Sequence, residues 1–463
     1  MRVLPAYQKR TGLPTCGSAL YNIAMSTHRF ADFLERLQAE GRLVRRDEAA
    51  ARRFEIGARA EVSAPCAVLL TNVANSPFPL IHGVFSSSES ILSALGSGSF
   101  AEAAARIDGI LTDGRGGGWL ERLGGDTSGP LRKYEPKTLR TGPSQQIVHL
   151  GADVDLSGLP VPTFAVGEMC PVLTAGRLIA RECDGSRLYV GRQEFRVLDS
   201  NRLVACWRPS SQPARLLAHC RRRGETMPLA LAFGGDPIDL LTAMAPLPCR
   251  ADVLALTGCL RGGACEMIAG RRVDLPIPAD AELVLEGTID PNEPCVDPGQ
   301  GLDPAGQLRP LRPGPVVHIE AITRRPTPLF PSLLPDEKAG IHRALAKVFL
   351  PFLRRELPGL VHLSFPTFGG DRLCAFASID KTYAGQAGQF ANAFWGCSEM
   401  SPVRYLVVVD EDVDVDNSDD VWAVVSAHAL PGRDVTIGDA PPDEFVHDQP
   451  PGRMVIDATR PLP

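Results

Sequence analysis

The sequence predicts a mixed α/β, α+β protein of several domains: an α/β unit at each end and a β-rich unit between them. Three features of the chain lead there. The first hundred residues combine helical apolar stripes with a short apolar run of strand length. From Gln145 the texture changes to short β-prone segments separated by Pro and Gly. After residue 316, strand-like and helix-like segments alternate in a βαβ rhythm. A length of 463 residues suits two or three domains, and 44 Gly with 41 Pro imply many short elements.

Taken in order, residues 1–24 read as a tail: Pro5, Gly12 and Pro14 break any apolar core that a signal peptide would need. The first unit is expected over 25–112. Ser26 or Thr27 caps a helix to about Glu40, whose Phe30, Phe33, Leu34 and Leu37 make one stripe, and Gly41 stops it. A strand starts at Leu43, a helix is expected over 47–59, and 67–73 is a buried strand. Helices follow at 88–95 and, opened by the Ser99 to Glu102 capping box, at 100–111. Residues 113–143 read as linker; the Gly-rich run 113–119 lacks the preceding strand and following Lys of a phosphate loop.

The central unit, 144–315, carries candidate strands at 148–150, 178–181, 189–198, 202–207, 229–233, 253–256 and 283–286, with helices near 211–223 and 237–243. A mostly antiparallel barrel or sandwich fits this spacing. The last unit, 316–463, opens with a strand at 316–322 and a helix over 337–356 with Ile341, Leu345, Val348 and Phe349 on one face. Strands at 361–365, 374–379 and 404–409 then alternate with helices at 386–395 and 419–425. The acidic run 410–416 is read either as a divalent-cation site or as a solvated strand end that caps the next helix.

Composition narrows the function classes. A net charge of -6 without a basic block, and only 6% aromatic residues, argue against nucleic-acid binding. The twelve Cys are single, with no CxxC pair and no zinc spacing, which fits reduced thiols in a cytoplasmic protein. No apolar run is long enough to span a bilayer. On the strand 189–198, Val190, Arg192 and Glu194 share one face, because side chains alternate with period two. That charged pair either walls a pocket or lies on a solvated face.

Five stretches in order resemble the UbiD family of prenylated-flavin decarboxylases. They are 30–45 around Phe30 and Gly41; 149–164 from His149 to Phe164; Gly234-Gly235-Asp236-Pro237 running to Pro248; 274–287 from Asp274 to Gly287; and 407–414 with Trp422. The resemblance implies an N-terminal α/β domain, a central split β-barrel like that of flavin reductases, a C-terminal α/β domain, and homo-oligomers. It implies reversible decarboxylation of aromatic or α,β-unsaturated acids, with prenylated FMN as electron sink and Mn²⁺ and K⁺ at its phosphate.

The family's Asn-x-Gly-x-Tyr-Arg strand aligns with 189–194. Gly191 is kept, Tyr189 stands at a metal-binding Asn, and Glu194 replaces the Arg. Trp207 matches the family Trp, preceded here by Cys206. The metal-binding Glu falls on Val253, beside Asp252, and the acidic motif falls on Asp297 and Leu302, followed by Asp303. As an enzyme, the chain would use Asp297 as proton donor with Glu194 and Arg192 in the catalytic group. Arg192 or Arg208 would anchor a carboxylate, and Gly191, Trp207 and Arg208 would touch any flavin. No metal ligands are expected, and no cofactor in the ordinary family mode; a functional family site would take prenylated FMN with Mn²⁺ and K⁺. The alternatives are a non-catalytic subunit paired with an intact UbiD-type paralogue, a scaffold for another small anion, or a cofactor-free enzyme using Cys206 or Cys295.

Overall fold

The computed structural model describes residues 29–56, 65–113, 118–124, 129–181, 185, 187–397, 399–447 and 452–462. The tail 1–24 and the expected cap at Ser26 or Thr27 lie outside them. The first helix, Arg29–Ala39, buries Phe30, Phe33, Leu34 and Leu37 as its stripe requires. The helices Ser88–Leu95 and Phe100–Thr112 start at Ser87 and Ser99, whose side chains accept from the backbone N–H groups of Ser90 and Glu102.

Residues 47–54 are not the helix expected there. Ala50 and Arg53 form isolated bridges with Val73 and Thr163. Pairing with two distant segments, with Ala50 fully buried, overrides the local helix propensity of this Ala- and Arg-rich stretch. The N-terminal sheet runs Leu43–Arg46, Ala67–Leu70, Leu80–His82 and then Phe330–Ser332, a strand from far downstream. Part of the expected linker is ordered: Trp119–Leu123 is a short helix, with Trp119 edge-on to Phe352, and Lys137–Thr138 pairs with Glu266–Ala269.

The centre is a nine-stranded, antiparallel sheet. Its hydrogen-bonded path begins at Val172–Leu173 and passes through Glu194–Val197, Arg202–Cys206, Val316–Arg324, Leu283–Ile289, Met227–Phe233 and Arg177–Arg181 to Leu188–Arg192; Ile147–Leu150 pairs at the side of Val316–Arg324. The strand expected over 189–198 is therefore two strands. Leu188–Arg192 ends the path at one side, while Glu194–Val197 lies next to last at the other. One residue, Gln193, joins them, and one residue reaches less than about 4 Å. The sheet must curl until its two ends stand side by side at Gln193, although no ladder hydrogen bonds close it.

Two further expectations change here. Val316–Arg324 sits in the middle of the central sheet rather than opening the last unit. The apolar run 253–256 is the start of a helix, Val253–Arg261, capped by Asp252, whose side chain accepts from Ala255 N, and ended by left-handed Gly262. A short apolar run bounded by turn residues has no period that separates a buried helix from a strand. The turn at Gly234 and Gly235 needs their positive φ of 69° and 94°, and Asp236 then caps the helix Pro237–Ala243.

The expected helix 337–356 splits into Pro335–Val348 and Leu350–Glu356, because Pro351 cannot supply the N–H that a continuous helix needs. The C-terminal sheet is mixed, in the order Leu360–Ser364, Cys374–Ile379, Tyr405–Asp410, Gly452–Asp457, Val435–Asp439. One core joins the N-terminal helices to the C-terminal unit, running from Phe33 and Leu37 through Ile341, Leu345 and Phe349 to Phe394 and Leu406. A second fills the central sheet around Phe195, Trp207, Phe233 and Phe330.

A clasp then crosses from the C-terminal unit to the central one. Phe445 bridges to Leu311, Arg312 N donates to Glu444 O at 2.9 Å, and Val446 N donates to Pro310 O at 2.9 Å. Among the described residues no helix is long and apolar enough to cross a membrane.

Candidate functional site

The curl at Gln193, the start of the helix Pro335–Val348, the turn 370–373 and the clasp enclose a cleft of about 240 Å³. Five Arg or Lys side chains line it against seven carboxylates, so charge pairing decides its character. A larger groove of about 1120 Å³ lies elsewhere, beside the helices Arg29–Ala39 and Ser88–Leu95. It is open and lined by side chains of both signs, without convergent polar groups from a sheet end, so the smaller cleft is the better candidate.

Arg192, Gln193 and Glu194 stand at the seam of the sheet. Arg192 donates through Nε to Thr174 O at 2.8 Å and through Nη2 to Glu194 Oε1. Lys338, on the first turn of its helix, donates to the same Oε1 at 2.6 Å. Burial alone would push the Glu194 carboxyl up, but the charges of Lys338 and Arg192 outweigh it and hold the group well below the usual carboxylate range.

Tyr189, on the same strand face as Gly191, lays its ring over that glycine: a Cβ at 191 would sit 2.6 Å from the Tyr189 ring carbon Cζ. Its hydroxyl accepts from Gln193 Nε2 at 2.9 Å, and burial pushes its pKa up. Cys206, opposite Glu194 in the ladder, has its thiol pushed up to about 12 by burial, so it is no ready nucleophile.

Opposite the seam, His342 Nδ1 lies 2.6 Å from Asp371 Oδ1. Burial would raise the Asp371 carboxyl, but His342 and Arg372 hold it well down. Burial and then the Arg372 charge lower His342, so the ring is neutral at neutral pH. Arg372 adopts a left-handed φ of 61° and donates to Glu399 O and Oε2 at 3.0 and 3.1 Å. A non-glycine residue in that region costs about 1 kcal/mol or more and is retained where neighbours fix it. Arg208 reaches Glu444 at only 3.7 Å, and its side chain makes no hydrogen bond among the described residues.

Of the six residues expected at a site, Arg192, Glu194 and Arg208 meet in this cleft. Gly191 lies beneath Tyr189. Trp207 points into the central core, edge-on to Phe195, with its Nε1 buried and without a partner among the described residues. Asp297 is outside the cleft lining and accepts from Gly299 N in its own turn. Cys295 is exposed, also outside the lining. Sequence reasoning missed Lys338, His342, Asp371, Arg372 and Glu399. The polar i, i+4 pair Lys338 and His342 beside an apolar stripe was the available signal.

Residues 137–338 match the 3-octaprenyl-4-hydroxybenzoate carboxy-lyase Rift-related domain of UbiD, and 340–458 match the C-terminal domain of the same carboxy-lyase. The chain belongs to the UbiD family. A protein of Aquifex aeolicus (strain VF5), of uncharacterised function, is 29% identical over 444 residues, covering 92% of this chain and 91% of that protein. Among solved structures, an evolved dimeric form of the UbiD-class enzyme HmfF from Pelotomaculum thermopropionicum, in complex with prFMN, is 26% identical. It matches with TM-score 0.76 over 94% of this chain and 96% of its own. The closed form of vanillic acid decarboxylase from Sedimentibacter hydroxybenzoicus shares the fold at 21% identity and TM-score 0.82, covering 95% of this chain and 94% of that one.

UbiD relatives bind prenylated FMN, and the cleft residues of this chain do not fit that group held in the ordinary way. The space over Gly191 is filled by the Tyr189 ring. Tyr189 and Val253, which the resemblance sets at metal-binding positions, are not the oxygen- and imidazole-rich set a divalent ion takes. Among the described residues no group of three or more His, Cys, Asp or Glu is placed to hold a metal. Asp252 is engaged in capping its helix. The acidic run 410–416 is engaged too: Asp410 and Asp412 pair with Arg460, while Asp416 accepts from Lys347 and Ser364.

Proposed function

We propose that this chain is a UbiD-type carboxy-lyase relative that binds a small aromatic or α,β-unsaturated carboxylic acid in the cleft, and that it does not grip prenylated FMN through a metal-bound phosphate. The supporting observation is the assignment of charge. Arg192 and Lys338 are both spent on Glu194, while Arg208 meets Glu444 only at 3.7 Å, beyond hydrogen-bond distance, which leaves its N–H groups open to an anion. A guanidinium with free N–H groups suits a carboxylate. Glu194 occupies two cations that would otherwise be open to an anionic phosphate.

Anaerobic incubation with prenylated FMN, Mn²⁺ and K⁺, followed by desalting, tests the cofactor half. Colourless protein is the expected result. A stoichiometric flavin spectrum that survives desalting overturns it.

A second reading, a subunit that pairs with an intact UbiD-type paralogue or with a copy of itself, is favoured by the free edge of the C-terminal sheet. Val435–Asp439 ends that sheet and exposes Ile437 at 76%. Light scattering of the purified chain, with pull-down from its native cell, separates the two. The curl at Gln193 supports taking the central unit as a split barrel. The division at 25–112, 144–315 and 316–463 is kept with one change, moving Val316–Arg324 into the central unit.

A further inference from the structure

We propose that His342, oriented by Asp371, is the group that takes up and returns a proton in this cleft, next to an organic carboxylate anchored on Arg208. The inference rests on the acid-binding reading above and assigns a role to a residue outside every motif that marks the family here.

Asp303, Glu194, Glu399 and Asp443 are engaged with cations, and Glu444, whose nearest cation Arg208 stands 3.7 Å away, is the rival that the Glu444→Gln variant addresses. Asp303 Oδ1 accepts from the N–H groups of Ala305 and Gln307, each at 2.9 Å, and its Oδ2 accepts from Arg309 at 2.6 Å. Glu194 is held by two cations. Asp297 is outside the cleft lining. His342 differs in geometry: Nδ1 is tied to Asp371, and Nε2 has no hydrogen-bond partner among the described residues although the side chain lines the cleft.

Because Asp371 is ionised and can only accept, Nδ1 carries the hydrogen in the neutral ring and Nε2 carries the lone pair. A proton gained at Nε2 gives an imidazolium whose charge faces the Asp371 carboxylate. Its return restores the neutral ring and leaves the Nδ1 hydrogen bond intact. The proton therefore enters and leaves at one atom.

The groups around the ring set the direction of the coupling. Asp371 and Glu399 favour the charged ring and Arg372 opposes it. Both carboxylates also act on Arg208, so the anchor and the ring share one field. An anion arriving on Arg208 favours the imidazolium, and binding then takes up a proton; by linkage, protonation strengthens binding.

Benzoate is the probe, titrated into the full chain by calorimetry in buffers of different ionisation enthalpy near pH 6. Net proton uptake on binding is expected in the wild type. His342→Gln removes the uptake, Asp371→Asn shifts its pH midpoint while benzoate still binds, and Arg208→Gln weakens benzoate about tenfold or more. Nitrogen NMR of the wild-type imidazoles reads the same proton without any variant, through a benzoate-dependent change at Nε2. Benzoate binding without proton uptake, or uptake that survives His342→Gln and disappears in Glu444→Gln, overturns the role of His342 and leaves the acid-binding reading standing. Absence of benzoate binding to the wild type overturns the acid-binding reading, and the role of His342 with it.

Discussion

Lys338 Nζ lies 2.6 Å from Glu194 Oε1, tying the helix Pro335–Val348 to the seam of the central sheet. Arg192 meets the same oxygen from the opposite end of that sheet. Two cations on one carboxylate join three stretches of chain, and each is only partly exposed, so the pairing is little screened by water. Removing one partner leaves the others imperfectly matched, which costs more than the pair itself contributes.

Lys338→Met is therefore expected to destabilise the chain by about 1–3 kcal/mol at pH 7 in urea unfolding. Glu194→Gln in the same chain recovers part of that loss. The folded Glu194 carboxyl titrates below its unfolded value, so its contribution is present above about pH 4.3 and is lost as the pH falls further. The gap between wild type and Lys338→Met narrows over that acid range.

Gly191→Ala places a methyl group against the Tyr189 ring. Overpacking of this kind costs about 1–3 kcal/mol. Tyr189→Ala in the same chain relieves it, so the two substitutions combine to less than their separate effects in thermal unfolding.

His82 is fully buried, with no hydrogen-bond partner for either ring nitrogen among the described residues, and burial lowers its pKa from 6.5 to about 4. Between those values the unfolded chain binds a proton that the folded chain refuses. Stability therefore falls as the pH drops from 6.5 towards 4, by up to about 1.4 kcal/mol per pH unit from this group. His82→Leu is expected to flatten that part of the stability curve, measured by denaturant unfolding at several pH values.

Asp252 caps the helix Val253–Arg261 at Ala255 N, 2.9 Å away. Asp252→Ala should lower stability by about 1 kcal/mol. Asp252→Ser, which keeps an acceptor, should recover most of it. No difference between the two would contradict the cap.

Much of this arrangement is legible in the residues themselves. The stripe of Phe30, Phe33, Leu34 and Leu37, the cap at Ser99, and the alternating units after Leu360 follow from local spacing and side-chain hydrogen bonding, which need only near neighbours. Arg192 and Glu194 could likewise be singled out as a charged pair on a β-prone segment. The helix at Val253 and the extended chain at Ala50 could not, because burial and distant pairing decided them.

By itself, then, the sequence determined the mixed α/β class, the family, and the departures at Tyr189 and Glu194. Only the tertiary structure decided what those departures do. It curled the sheet at Gln193, brought Lys338 to Glu194 and set His342 on Asp371. Charge compensation depends on distance through space, and residues 144 positions apart along a chain carry no local trace of standing 2.6 Å from each other.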